Sequence, residues 1–129
     1  MSRKINRDSV LVIDDDGDFR SLIAVIGQLC GVRVLEATDC RHGLKVLQRE
    51  RARIKMVLLD YYMPGMDAVT CAASILVKAG PLVPVVLVTA AVDASRRAAE
   101  LQIDRWVSKP VELAVLTALL TQDTAVGSR

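Results

Sequence analysis

Met56, Val57, Leu58 and Leu59 run straight into a carboxylate at Asp60, and Pro64-Gly65 then force a turn. A short apolar run without polar alternation, closed by turn residues, predicts a strand buried on both faces. Such a strand demands a sheet covered on both sides. In open α/β sheets the ligand sits at the carboxyl edge of the strands, which is where this run delivers Asp60. Carboxylates are rarely buried without a partner, so Asp60 is a candidate for chemistry. Asp67, just before the next helical stretch, suits the commoner role of Asp as a turn or cap residue.

Two further runs have the same character. Val10 to Ile13 ends in Asp14-Asp15-Asp16, and Val85 to Val88 ends in Thr89. Val32 to Ala37 and Arg105 to Ser108 alternate instead, as edge strands do, and the latter leads to Lys109-Pro110. Between the strands lie helical patterns. Phe19 to Cys30 carries a stripe of Phe19, Leu22, Ile23, Ile26 and Leu29 and is closed by Gly31. Thr38 or Asp39 caps a helix to about Arg49. Asp67 caps one to Lys78 that Gly80-Pro81 ends. Ser95 to Leu101 is short, and Glu112 to about Gln122 has Leu113, Leu116, Leu119 and Leu120 on one side. Strands alternating with helices predict an α/β, doubly wound (βα)5 sandwich with a five-stranded parallel sheet. Placing the apolar strands centrally and the alternating ones at the edges gives the order 2-1-3-4-5, which resembles the flavodoxin-like arrangement.

The 129 residues are read as a single domain, with flexible tails at about 1–8 and 123–129. A net charge of +2, from 17 basic and 15 acidic residues, leaves no footprint for nucleic acid or a membrane surface. Cys30, Cys40 and Cys71 are odd in number and lack C-x-x-C spacing, so all three are expected to be reduced. No apolar run is long enough to span a bilayer, and the basic start meets only a short apolar run before the aspartates. The expectation is a soluble cytoplasmic domain. His42 and Arg96-Arg97 read as surface groups.

In the expected strand order the polar ends of strands 1, 3, 4 and 5 meet at one rim. Carboxylates crowded there would raise one another's pKa, a conflict that a divalent cation removes. Oxygen ligands with open positions suit Mg2+. A lysine and a threonine opposite would complete a cradle for a phosphoryl group, and a carboxylate between them can serve as nucleophile.

With these pieces in register, the chain resembles a response-regulator receiver domain of two-component signalling over nearly its whole length. The matching pieces are V-L-V-I-D-D-D, V-L-L-D-Y-Y-M-P-G-M-D, V-V-L-V-T-A and S-K-P. The resemblance implies a phosphoryl-accepting switch rather than an ordinary enzyme, one that catalyses only its own phosphorylation and dephosphorylation. Asp60 resembles the phospho-acceptor. Asp14 and Asp15 resemble the acidic metal pair, with Tyr62 lending its backbone carbonyl to Mg2+. Thr89 and Lys109 resemble the phosphoryl-contacting pair, and Trp106 stands at the aromatic switch position, directed toward the last two helices. Tyr62 and Ala91 occupy the positions that tune phosphate lifetime. Implied partners are a sensor histidine kinase or histidine phosphotransfer protein, a downstream protein or output domain, and a phosphorylation-dependent dimer. The surface expected to change is helix 4, strand 5 and helix 5.

Ala68 replaces the usual Gly after Met-Asp, Val111 replaces a frequent Phe, and the stretch before the last strand lacks its usual Gly. Ordinary core packing competes with the switch role at Trp106. Two whole-chain alternatives stand beside the receiver. Ile13-Asp14-Asp15-Asp16-Gly17 also fits the D-x-D-G motif of haloacid-dehalogenase-type phosphatases, using Asp14 and Asp16. That reading leaves Asp60 without a role. The other is a receiver-like adapter that is never phosphorylated, which the complete acidic set opposes.

Overall fold

The computed structural model describes residues 7–122. Strands β1 (Ser9–Ile13), β2 (Arg33–Ala37), β3 (Ile54–Leu59), β4 (Val85–Thr89) and β5 (Arg105–Ser108) alternate with helices α1 (Gly17–Cys30), α2 (Cys40–Glu50), α3 (Ala68–Ala79), α4 (Ala94–Glu100) and α5 (Leu113–Thr121). The sheet is wholly parallel, in the order β2-β1-β3-β4-β5 of the flavodoxin-like arrangement, with the apolar strands central and the alternating ones at the edges as expected. Alternate residues of each central strand feed two cores. Leu11, Ile13, Val57, Leu59 and Leu87 pack toward α2, α3 and α4, whereas Val10, Val12, Met56, Leu58, Val86 and Val88 pack toward α1 and α5. Of the expected tails, Arg7 and Asp8 are ordered by contacts: the Arg7 guanidinium donates to the carbonyls of Arg51 and Ile54, each at 2.9 Å. Residues 1–6 and 123–129 of those tails lie outside the described residues.

Caps fix the helix starts. Asp39, rather than Thr38, accepts the His42 N–H at 2.8 Å, and Asp67 accepts that of Thr70 at 3.0 Å. Helix α1 begins earlier than the apolar stripe implies because Asp16 caps it, accepting from the N–H groups of Asp18 and Phe19. Its buried face also differs from the expected stripe: Leu22 and Leu29 are exposed, whereas Ile23, Ile26 and Gly27 are buried. A Cβ at position 27 would come within 2.8 Å of the Val32 carbonyl oxygen, so the glycine turns toward β2 to permit close packing and rotates the leucines outward. On α5, Leu113 is likewise exposed, and the packed side is Leu116, Leu119 and Leu120.

The expectation of three reduced cysteines fails. Cys40 at the start of α2 and Cys71 in α3 form a disulfide, with Cα atoms 6.0 Å apart, and Cys30 alone is a free thiol. The two residues are 31 positions apart and share no motif. Only the packing of α2 beside α3 on one face of the sheet brings them together.

Helices α1 and α4 end alike. The N–H of Val32 returns to Gly27 and that of Gly31 to Gln28; correspondingly, Ile103 returns to Ala98 and Gln102 to Ala99. This paired pattern needs a left-handed residue at its centre. Gly31 supplies it with φ 73°, but in α4 the residue is Gln102, at φ 60°. The glycine missing before the last strand is thus missing at a position that uses its conformation. A side chain there costs about 1 kcal/mol or more, partly offset by the greater chain entropy of glycine. Gln102→Gly should therefore stabilise the fold by about 0.5–1 kcal/mol in urea unfolding. A loss of stability would show that the Gln102 side chain makes a compensating contact.

Candidate functional site

The backbone ladder continues one residue beyond each strand. The Asp14 N–H donates to the Ala37 carbonyl at 3.0 Å, the Asp60 N–H to the Ile13 carbonyl at 3.0 Å, and the Lys109 N–H to the Thr89 carbonyl at 2.8 Å. Parallel register therefore sets these residues along one rim. There an oxygen from each of Asp14, Asp15 and Asp60 lies within 4.8 Å of the other two. Asp14 and Asp60 are buried, at 1% and 8% exposure, whereas Asp15 faces solvent.

Charge balance at the rim comes from the far edge of the sheet. Lys109 Nζ stands 2.7 Å from Asp14 Oδ2 and 4.4 Å from the centre of the Phe19 ring, whose face favours a cation. The second Asp14 oxygen accepts the Asp16 N–H at 2.9 Å. Arg20 braces the same residue, donating to the Asp14 carbonyl at 2.7 Å while pairing with Glu36 at 3.1 Å. Asp60 is less well compensated. Burial pushes its carboxyl up to about 6, and the Asp14 charge pushes the same way, while Lys109 and the N–H groups of Tyr61 and Tyr62 pull it back.

Thr89 is fully buried, and its hydroxyl oxygen accepts the Ala91 N–H at 3.1 Å, so that bond leaves the hydroxyl proton uncommitted. Ala91 is buried, and the Tyr62 ring is exposed, edge-on to Tyr61 at 5.0 Å between ring centres. Beside Asp15, the loop from Tyr61 to Ala68 lines an open cleft of about 480 Å3. Trp106 is 45% exposed, which removes the core-packing reading. It pairs in register with Leu87, so it lies on the face of the sheet that carries α4, one of the last two helices, whereas Val107 faces the α5 side. Alternation along β5 puts Trp106 out of phase with Val107.

The acidic triplet separates by role. Asp16 is consumed as the cap of α1 and is exposed, which leaves the D-x-D-G reading without its second acidic group at the rim. His42 is exposed as expected, but Arg97 is not the solvated group its neighbour Arg96 is: it pairs with Asp93 and contacts the Tyr61 phenol. No motif gives Tyr61 or Arg20 a role, and only the fold reveals their partners.

Three hard oxygen donors, one open to solvent, fit a divalent cation that retains waters, and Mg2+ is that kind of ion. The three carboxylates would hold it.

A parallel sheet of this order with carboxylates, a lysine and a threonine gathered at its carboxyl rim defines a class of α/β proteins before any relative is compared. The chain belongs to the response regulator receiver domain family, whose family model matches residues 10–121. It is 30% identical over 123 residues to the transcriptional regulatory protein AfsQ1 of Streptomyces coelicolor, spanning 94% of this chain and 53% of that protein. Against the first curated relatives it matches, the chain spans less than half of their length (18%, 43% and 44%). Among solved structures, the chemotaxis response regulator CheY4 of Vibrio cholerae superposes with a TM-score of 0.76 at 22% identity, covering 89% of this chain and 97% of that one. The Thermotoga maritima response regulator TrrA, solved in complex with Mg2+-BeF, gives 0.72 at 24% identity and covers 88% and 96%. At these identities the structures speak for the fold. Receiver domains are signalling modules that bind Mg2+ at an aspartate pocket and work with histidine kinases or phosphotransfer proteins and with output domains.

The raised Asp60 pKa has a consequence for stability. Between the ordinary carboxyl value of 3.8 and about 6, the folded chain holds this proton more tightly than the unfolded chain does. Without metal, stability from this group is therefore greatest below that window, falls as pH rises through it, and stays low above it. Asp60→Asn should remove this dependence and stabilise the metal-free protein at pH 7.5 by about 1–3 kcal/mol. Denaturant midpoints at pH 4.5 and 7.5 in a chelating buffer measure this; equal pH dependence in both proteins would contradict it.

Proposed function

We propose that this chain is a phosphoryl-accepting switch that takes a phosphoryl group onto Asp60 from a histidine kinase or histidine phosphotransfer protein. The observation that supports it most is the unequal commitment of the rim carboxylates. Asp14 has both oxygens engaged, whereas Asp60 is buried, poorly compensated and central between strand ends bearing Asp14 and Thr89.

In this reading an Asp60 oxygen attacks phosphorus in line with the donor's P–N bond. That bond breaks with the donor ring protonated on its other nitrogen, so the electrons leave with the phosphorus-bearing nitrogen and the imidazole departs neutral. Mg2+, held by Asp14, Asp15, Asp60 and the Tyr62 carbonyl, would supply the positive charge that balances the phosphoryl oxygens. Lys109 stabilises charge building on those oxygens from the opposite side, and the uncommitted Thr89 proton donates to one of them. Drawing Thr89 toward Asp60 moves β4's exit and, with it, α4 and the half-exposed Trp106, altering the α4–β5–α5 surface for a downstream partner, an output domain or a second copy. Catalysis is limited to the chain's own phosphorylation and dephosphorylation. We place this activity in the cytoplasm; among the described residues no helix is long and apolar enough to cross a membrane. In a reducing compartment the Cys40–Cys71 bond would be cycled rather than permanent.

Incubation with a small acyl phosphate and Mg2+ should add one phosphoryl mass that hydroxylamine removes, and Asp60→Asn should abolish it. Modification that persists on Asp14 or Asp16 in that variant would sink the assignment. Trp106 emission, red-shifted by exposure in the resting chain, should change wavelength on phosphorylation, and the change should vanish in Thr89→Ala. Identical emission in the fully phosphorylated and unphosphorylated chain would remove Trp106 from the switch. Tyr62 shields the acyl phosphate from water, while Ala91 offers no polar group to orient an attacking one. Tyr62→Asn should therefore speed loss of phosphate by about tenfold or less, the scale of a modest barrier change; an unchanged or slower rate argues against shielding.

A further inference from the structure

Helix α4 is weakly held by its own packing. It has seven residues, too few to be stable alone, and only the small side chains of Ala94 and Ala98 are buried along it. What fixes it instead is a polar cluster reaching across to the segment after Asp60. The Tyr61 hydroxyl donates to Glu100 Oε1 at 3.1 Å and accepts from Arg97 at 3.2 Å. The Arg97 guanidinium also lies 5.1 Å from the centre of the Tyr61 ring. Arg97 pairs with Asp93 at 3.3 Å, one turn earlier in the chain, and with Glu100 at 3.6 Å. The ring itself packs against the core between the sheet and α2–α4 and meets Tyr62 edge-on.

Only a phenol can take both parts here: an oxygen that donates to a carboxylate and accepts from a guanidinium, on a ring that also faces the cation. Tyr61 is covalently adjacent to Asp60, so any change of the Asp60 backbone reaches the cluster directly. We propose that Tyr61 is a positioning residue that latches α4 to the segment following Asp60, holding α4 in its resting place and coupling it to the state of the rim. The proposal rests on the phosphoryl-acceptor reading only for its functional consequence. Contacts made in the resting arrangement alone oppose the shift that draws β4's exit toward Asp60, and releasing them enlarges the competent fraction. The latch thus works against phosphorylation through α4.

Amide hydrogen exchange on the metal-free, unphosphorylated chain tests the latch itself. Tyr61→Phe keeps the ring but loses the hydroxyl, and should speed exchange of the α4 amides about three- to tenfold, the net effect of one ordinary hydrogen bond, since solvent screens these partly exposed charges. Glu100→Gln should reciprocally speed exchange in residues 61–67, while α2 and α5 remain unchanged in both variants. Unaltered α4 exchange in Tyr61→Phe, or a rise spread over every helix, overturns the proposal. Phosphorylation by a subsaturating acyl phosphate with Mg2+ then reads the consequence. Tyr61→Phe should be modified several-fold faster than the parent chain, with no further gain on adding Glu100→Gln; general damage to the fold would slow it instead. Faster α4 exchange with an unchanged or slower rate overturns the coupling to the rim. If the parent chain takes no phosphoryl group at all, it is the Asp60 reading that fails, and the exchange data still decide the latch.

Discussion

The ion pair between Lys109 and Asp14 allows this rim to exist. Its members are 95 residues apart, and the lysine reaches from the end of β5 across the ends of β4 and β3 to the carboxylate that follows β1. Without a cation there, the buried carboxyls of Asp14 and Asp60 would repel in a medium that screens poorly. Removing one partner of such a pair leaves the other buried and unpaired, at a cost of about 3–5 kcal/mol. The same contact fixes geometry. It ties the edge strand β5 to the centre of the sheet, while the Lys109 N–H on the Thr89 carbonyl sets its register. The Phe19 ring beneath the ammonium joins α1 to that arrangement.

Much of this was legible because burial and chemistry are written in the same short runs. Val10–Ile13, Met56–Leu59 and Val85–Val88 are apolar at every position, which only a doubly covered strand explains, and each run's next residue must emerge at the rim. What escaped depends on relations between elements. The α1 stripe misled because Gly27, invisible to a hydrophobic pattern, decides which side of the helix meets β2. Periodicity gives a stripe its width, whereas the rotation of the helix is set by its closest approach. The cysteine pair follows from two helices sharing a sheet face, and no spacing rule carries that. The Tyr61 cluster escaped for a similar reason: its partners Arg97 and Glu100 lie 36 and 39 residues away, in the element with the weakest apolar signal.

The two layers of helices are built to different stiffness. On one side α1 and α5 carry long aliphatic side chains into the core at Ile23, Ile26, Leu116, Leu119 and Leu120. On the other, α2 and α3 are joined covalently through Cys40 and Cys71. Helix α4 has neither device: its buried side chains are alanines, and its last turn closes on a residue in a left-handed conformation without glycine's freedom. Regions that open most readily are those with few buried apolar contacts and polar fastenings. The element beside Thr89 and Trp106 is therefore the one whose displacement costs least.

The acidic residues at the rim are alike in chemistry and unlike in what already holds them, and that difference argues for Asp60 as the reactive group. Asp16 spends its oxygen on the first turn of α1, where the N–H groups stabilise negative charge. Asp14 divides its oxygens between an ammonium and a backbone N–H. Asp15 is open to water, well placed to bind an ion and poorly placed to exclude solvent from a reacting group. Burial and the neighbouring Asp14 charge push the Asp60 carboxyl up to about 6. A divalent ion held by these carboxylates would favour the ionised form of Asp60. Asp60 is thus buried, shielded from water and, among the described residues, in contact with no protein cation, and an ion at the rim would favour its charged form further. Those are the conditions under which a carboxylate oxygen is free to attack an electrophile.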